Sequence, residues 1–289
     1  MIRKIVIKDP NEDTLIKRLE KRTDIKAERI KRLLKLPDLT KKENSPVKIL
    51  FDQIINLPMF KDNDFDLVDF PRIVTTEQCF DLLNMSKDHP ARKETDTFYL
   101  DDTHILRTHT TAFWSFYLRD KKILEKLEKD GEIKALAPGI VFRKDEIDSS
   151  HYPAFHQIDG LLICEKLKKI ITQDNLKDVQ VNLAKGIFGK DIEYKFIPDE
   201  FPYTVESLEM DIKFNGDWME VNGAGLVNPV CLKNFGLNPE VYNGWAFGFG
   251  DRLAMIKMGI PDIRILWSDD PRITSQFKDI NSKFKAVSK

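Results

Sequence analysis

The sequence has 289 residues, 42% hydrophobic and 32% charged, enough for one large soluble domain with a substantial core. With 46 basic against 47 acidic residues the formal net charge is −1, which excludes a global field drawing the protein to nucleic acid or membrane and leaves any polyanion site local. Cys79, Cys164 and Cys231 are far apart with no CxxC pair, no apolar run approaches the ~18–20 residues of a membrane span, and the start turns polar too soon for a signal peptide. A disulfide framework, a zinc knuckle and a membrane anchor are thereby disfavoured, and a cytoplasmic location is expected.

Residues 1–44 read as a basic strand and helix extension ahead of a main domain at 45–289. A strand-like "IRKIVI" is followed by "NEDTLIKRLEKRTDIKAERIKRLLKLPD", with Leu and Ile at helical spacing among cations. This segment holds 14 Lys or Arg against 8 Asp or Glu. A solvated helical face, RNA contact and subunit packing all suit it.

The stretch "SPVKILFDQIINLPMF" predicts a helix opened by Ser-Pro and stopped by the second Pro. "FDLVDFPRIV" reads as a strand ending at Pro71. "KKILEKLEKDGEIKALAPG" predicts a surface helix broken at a Gly, and "EKLKKIITQDNLKDVQVNLAKGIFG" another ending at Gly. "IEYKFIP" and "SLEMDIKFNGDWMEVNG" are extended, and a last helix lies near "RLAMIKMG". Strands dominate the middle and end without βαβ alternation, so an α+β class with an antiparallel sheet flanked by helices is expected.

Polar chemistry concentrates in "GIVFRKDEIDSSHYPAFHQIDG". On a strand, Gln157 and Asp159 share a face, an amide and a carboxylate suited to an ammonium group, and the same rule aligns Val141, Arg143 and Asp145. A guanidinium near such a pair suits a zwitterion or a phosphorylated small molecule. His151 lies in the intervening loop, and His151 with His156 makes a weak metal signal, since no third ligand stands at suitable spacing. Of five histidines, His89, His109, His151 and His156 lie in polar clusters, whereas His104 reads as a surface residue. Alternation in "LRTHT" predicts a second polar row, Arg107, His109 and Thr111. "NGWAFGFGDRLAMIKMGIPDIR" has glycines that admit a ligand to the backbone and Arg252 at a helix start; without GK[ST] or GxGxxG it is neither a P-loop nor a dinucleotide fingerprint.

In this order, "HPARKETDTFYL", "LRTHTT", "FRKDEIDSSHYPAFHQIDG", "FPYTVESLEMDI", "WMEVNGAGLVNP" and "GWAFGFGDRLAMIKMGIPDIR" resemble the catalytic domain of phenylalanyl-tRNA synthetase, a class II aminoacyl-tRNA synthetase, over roughly residues 45–280. The resemblance implies a class II antiparallel sheet, with the stretch at 139–160 as motif 2 and "GFGDRLAM" as motif 3. It implies that Arg143 holds the α-phosphate and the substrate carboxylate, that His151, Asp145, Phe155 and Arg252 serve ATP, and that Gln157 and Asp159 take the amino acid's ammonium. His109 and Thr111 match the carboxylate side, Phe201 and Tyr203 the aromatic pair at the substrate ring, and Ala246, Gly223 and Gly225 the pocket wall. The implied catalytic set is Arg143, His151 and Arg252; the implied cofactor is Mg2+ with ATP, for which Glu209 and Glu220 are candidate ligands.

The sequence departs from the family at several positions. Asp159 stands where Glu is usual, Thr111 where Ser is, Tyr203 where Phe is more common, and "GFGDR" is one residue shorter than GxGxER. The coiled coil of bacterial α subunits and the anticodon-binding domain of organellar enzymes are not recognisable in these residues. The expected partners are ATP, phenylalanine, tRNA(Phe) and a β subunit in an α2β2 assembly, or a homodimer built on a motif 1 helix at roughly 45–57. A stand-alone enzyme activating phenylalanine or a related amino acid, and a non-catalytic amino-acid-binding subunit, are the alternative roles.

Overall fold

The computed structural model describes residues 2–287. The chain opens with strand β1 (Arg3–Val6), helices α1 (Glu12–Glu20), α2 (Ile25–Leu34) and α3 (Pro46–Ile55), and the single turn α4 (Pro58–Lys61). Strands β2 (Asp66–Asp69), β3 (Ile73–Thr75) and β4 (His104–Leu106) lead to the short α5 (Trp114–Tyr117) and to α6 (Lys121–Asp130). Two long strands, β5 (Glu132–Phe142) and β6 (Ala154–Glu165), precede α7 (Gln173–Phe188). Then come β7 (Glu193–Pro198), β8 (Thr204–Phe214), β9 (Asp217–Val227), α8 (Pro229–Asn234), β10 (Tyr242–Gly250), α9 (Arg252–Met258) and α10 (Pro271–Thr274).

Local chemistry accounts for the helices. Ser45 Oγ accepts from the Val47 amide at 3.2 Å with Pro46 at the first helical position, and α3 buries Val47, Leu50, Phe51 and Ile54, one stripe at helical spacing. Asp120 caps α6 and Gly131, at φ +69°, ends it, as the break in the pattern predicts. The helix expected from Glu165 starts later, at Gln173: Glu165 is still the last residue of β6, and Thr172 forms a capping box with Asn175.

Eight strands form one sheet in the order β1-β2-β5-β6-β10-β9-β8-β7. From β5 to β7 every pairing is antiparallel, the expected arrangement. The β1–β2 and β2–β5 pairs are parallel, since neither connection is a hairpin: four helices join β1 to β2, and β3, β4, α5 and α6 lie between β2 and β5. Helices α3, α7 and α9 cover one face and α5, α6 and α8 the other. β5 shows the alternation directly: Leu136 packs on the first face, Ile133, Ala135 and Ala137 on the second.

Residues 2–44 pack on this same body. The Arg3 guanidinium donates to both oxygens of the fully buried Asp66 at 2.7 Å, tying β1 to β2. Leu15, Leu19, Ala27, Ile30 and Leu33 are buried against Phe98, Leu106, Ile140 and Phe142. The compositional change at 44/45 therefore coincides with no gap in packing. Among the described residues no helix is long and apolar enough to cross a membrane.

Candidate active site

Because β6 is a continuous strand, Gln157 and Asp159 do share a face, the one that carries Leu161 and Ile163 further along. The tight turn Thr110–Phe113 that follows β4 brings two hydroxyls onto Asp159: Thr110 Oγ1 donates to Oδ1 and Thr111 Oγ1 to Oδ2, each at 2.6 Å. The Thr110 amide donates to Gln157 Oε1 at 3.2 Å. Burial pushes the Asp159 carboxyl up to about 6, while the two hydroxyls and Arg143 act in the opposite direction. Gly248 faces Asp159 across the β6–β10 pair, and a Cβ there would lie 2.9 Å from Oδ1. Thr110 was not among the expected site residues, the doubled Thr in "HTT" being the available signal, whereas Gly248 is one of the glycines of "GWAFGFG" expected to admit a ligand to the backbone.

Arg143 follows the end of β5 and donates from Nε to the Thr108 carbonyl at 3.1 Å, with its guanidinium 5.1 Å from the centre of the Phe155 ring. Since β5 ends at Phe142, the expected row of Val141, Arg143 and Asp145 does not form: Val141 is fully buried, and Arg143 and Asp145 reach the cavity from irregular backbone.

The row Arg107, His109, Thr111 fails for the same reason, because β4 ends at Leu106. Arg107 turns inward at 1% exposure, donates to the Ile140 and Phe70 carbonyls at 2.8 and 2.7 Å, and stacks 4.0 Å from the Phe70 ring centre. His109 and Thr111 do meet the cavity. Burial and the Arg143 charge hold His109 down to about 3, so its imidazole is neutral, and its Nδ1 is buried with no partner.

The other histidines divide sharply. His156 is fully buried: Nε2 accepts from the Leu39 amide at 3.0 Å, and Nδ1 faces Asp251 Oδ2 at 3.1 Å. It holds together the start of β6, the entry to α9 and the segment before α3, and carries no metal-ligand geometry. His151 is exposed, pairs with Asp148 at 3.0 Å and lines the cavity. His89 also lines it, half-buried, while His104 is half-buried against Asp101 at 2.9 Å.

One cavity of about 710 Å³ gathers these groups. Phe201 and Tyr203 stack with centroids 6.0 Å apart and 13° between planes, and Tyr203 leans on His109 at 6.1 Å. Burial, together with Asp159, pushes the Tyr203 phenol up to about 12. Gly223 supports the pair, since a Cβ there would stand 2.5 Å from Phe201 Cζ; Ala246 closes the wall from β10. Gly225, expected in the wall, lies outside the cavity and gives room to Thr204, whose Cβ would be 2.5 Å from an added methyl. At the wider end, exposed Arg252 opens α9, and Glu209 of β8 and Glu220 of β9 face the space. Burial raises the Glu209 carboxyl, and Glu220 and Asp199 raise it further, so these acids crowd one another. Among the described residues, no group of three or more His, Cys, Asp or Glu side chains has the geometry to hold a metal ion. The arrangement offers anion contacts, a carboxylate for a cation and an aromatic slot, all within reach of one small molecule.

The family described as tRNA synthetases class II core domain (F) matches residues 31–277. The phenylalanine–tRNA ligase alpha subunit of Clostridium perfringens strain SM101 is 38% identical over 275 residues, covering 91% of this chain and 77% of that protein. Its counterpart in Clostridium tetani is 40% identical over 232 residues, covering 76% of this chain and 65% of that protein. The crystal structure of a pyrrolysyl-tRNA synthetase from Desulfitobacterium hafniense shares the fold at a TM-score of 0.57 and 18% identity, over 90% of this chain and 85% of that one. The chain belongs to the family of class II tRNA synthetase core domains and is a relative of the phenylalanine–tRNA ligase alpha subunits.

Proposed function

We propose that this chain is the catalytic subunit of a cytoplasmic phenylalanine–tRNA ligase, acting with a β subunit on tRNA(Phe). The observation that carries the reading is the Gln157–Asp159 pair, clamped by Thr110 and Thr111, opening directly onto the Phe201–Tyr203 slot. A free aromatic amino acid carries both an ammonium and a ring, and Gln157, Asp159, Phe201 and Tyr203 line the same cavity.

Phenylalanine sits with its ammonium against Gln157 and Asp159, its ring against Phe201, Tyr203 and Gly223 with Ala246 closing the end, and its carboxylate toward His109 and Arg143. ATP stacks its base on Phe155, with Arg143 at the α-phosphate and Asp145, His151 and Arg252 around the rest of the nucleotide. A carboxylate oxygen attacks the α-phosphorus, and pyrophosphate leaves along the line of attack, giving phenylalanyl adenylate. The terminal ribose hydroxyl of the tRNA then attacks the carbonyl carbon, forming the ester as AMP departs with the electron pair of the cleaved bond and the hydroxyl proton passes to a phosphate oxygen of the AMP or to water. Such catalysis is positioning and charge neutralisation without a protein nucleophile.

Glu209 and Glu220 would hold Mg2+: they are hard oxygen donors whose mutual repulsion a divalent cation would relieve. When bound, the ion neutralises charge on the phosphates.

Amino-acid-dependent ATP–pyrophosphate exchange tests the reading, first on this chain alone and then with a β subunit added. Phenylalanine is expected to drive exchange, and Arg143→Ala to reduce it by about 10²–10³ with the fold retained. Exchange indifferent to Arg143, or none with phenylalanine in either preparation, rejects the proposal.

A further inference from the structure

His156 and Gln157 are consecutive on β6 and therefore face opposite sides of the sheet. Gln157 lines the cavity; His156, fully buried, stands behind the wall and is not among the lining residues. Its hydrogen bonds are nevertheless all made. The Leu39 amide can only donate, so Nε2, 3.0 Å from it, accepts, which leaves the ring proton on Nδ1. Nδ1 then donates to Asp251 Oδ2 at 3.1 Å, beside the His156 amide, which donates to the same oxygen at 2.8 Å. Asp38 Oδ1, 3.9 Å from Nε2, is taken by the Thr40 amide and hydroxyl at 3.0 and 2.6 Å, and Trp267 packs on the imidazole with ring centroids 5.2 Å apart.

These bonds decide where α9 begins. Asp251 stands at the N-cap position of α9 yet makes no capping hydrogen bond: its carboxylate is given over to His156. With the Asp251 amide donating to the His156 carbonyl at 2.8 Å, three hydrogen bonds join the two residues, one step past the Gln157–Gly250 pair that ends the β6–β10 ladder. Asp251 is 2% exposed, whereas the next residue, Arg252, is exposed and lines the cavity. Among the described residues Arg252 forms no ion pair. Its guanidinium is therefore placed by the backbone from which it springs, and that backbone is held by His156.

We propose that His156 is a positioning residue for the nucleotide: through Asp251 it fixes the start of α9 and so the Arg252 guanidinium at the phosphate end of the cavity. The proposal rests on the ligase reading above in taking that nucleotide to be ATP. A guanidinium that meets phosphate acts through geometry as well as charge, and a displacement of about 1 Å in such a group can cost about 10²-fold. One strand thereby serves both ends of the cavity, Gln157 meeting the ammonium directly and His156 acting on the phosphates at one remove.

The test measures ATP binding by calorimetry on the full chain with Mg2+ and no amino acid, so that no chemistry follows, beside phenylalanine binding and thermal melting. The variants are Asp251→Ala, Asp251→Asn, His156→Phe and Arg252→Ala, with Asp251→Ala and His156→Phe each also combined with Arg252→Ala. Asp251→Ala and His156→Phe are expected to weaken ATP binding about 10- to 100-fold with phenylalanine affinity unchanged, and to add nothing in the Arg252→Ala background. Asp251→Asn keeps an acceptor oxygen for both His156 donors and is expected to retain most of the affinity. His156→Phe leaves the Leu39 amide and Asp251 unpaired. Where it fails to fold, Asp251→Ala, which keeps the imidazole and its bond to Leu39, carries the test. Wild-type ATP affinity in Asp251→Ala, a loss that adds in full to that of Arg252→Ala, or Asp251→Asn as weak as Asp251→Ala overturns the proposal. If the wild-type chain gives no phenylalanine-dependent pyrophosphate exchange, with or without a β subunit, yet its ATP binding depends on these residues as described, the ligase reading fails and the positioning role stands.

Discussion

An ammonium bound against Asp159 must displace a proton at mildly acidic pH. Burial raises this carboxyl from 3.8 to about 6 despite Thr110, Thr111 and Arg143. At about 1.4 kcal/mol per tenfold change, the difference corresponds to ~3 kcal/mol of penalty on the buried anion. The folded-state value lies above the unfolded one, so this group's contribution to stability is full below about pH 4 and is lost as pH rises through about 6. A ligand ammonium offsets the penalty and holds the carboxylate ionised. Phenylalanine affinity is therefore expected to rise about tenfold from pH 5 to 7 and to flatten above. Calorimetry at several pH values, in two buffers of different ionisation enthalpy, measures the affinity and counts protons, with about one released at pH 5 and none near pH 7.5. His109, held at about 3, stays neutral throughout this range. Asp159→Asn keeps the side-chain shape and is expected to bind at least ~10-fold more weakly at neutral pH, with the pH dependence gone. Affinity that is level from pH 5 to 7 in the wild type, or a slope that persists in Asp159→Asn, refutes the reasoning.

Gly223→Ala places a methyl 2.5 Å from Phe201 Cζ and drives that ring into the slot. At ~1–3 kcal/mol for overpacking, the KM for phenylalanine in pyrophosphate exchange is expected to rise about 5- to 150-fold with kcat little changed; an unmoved KM removes Phe201 from the slot. Arg107→Met leaves the Phe70 and Ile140 carbonyls without their donor. A loss of about 3 kcal/mol, or roughly 6–12 °C in Tm, is expected by calorimetry, with the KM for phenylalanine in the folded enzyme unchanged. A selective KM effect would instead return Arg107 to the substrate.

Where backbone geometry is local, the sequence was informative. The Ser45–Pro46 start of α3, the Gly131 end of α6 and the shared face of Gln157 and Asp159 depend on neighbours within a few residues, and β6 is straight enough for period two to hold along its length. Period two misled at Arg107 and at Val141–Asp145, because it was carried past strand ends at Leu106 and Phe142 that no local signal marks. The start of α7 was misplaced because apolar residues after Glu165 mimic a helical face.

Taken alone, the sequence determined the antiparallel character of the main sheet, the polar stretch at its centre and the cationic excess of the first 44 residues, all properties of composition and short-range pattern. Tertiary structure decided the rest. It set β1 parallel to β2 at the sheet edge, buried Arg107 and His156 as cross-links, and brought Thr110, Gly248 and Phe201 to Asp159 and Gly223 from distant segments. The physical reason is that a lone side chain's surroundings are set by long-range packing and burial, which act only after distant strands have paired.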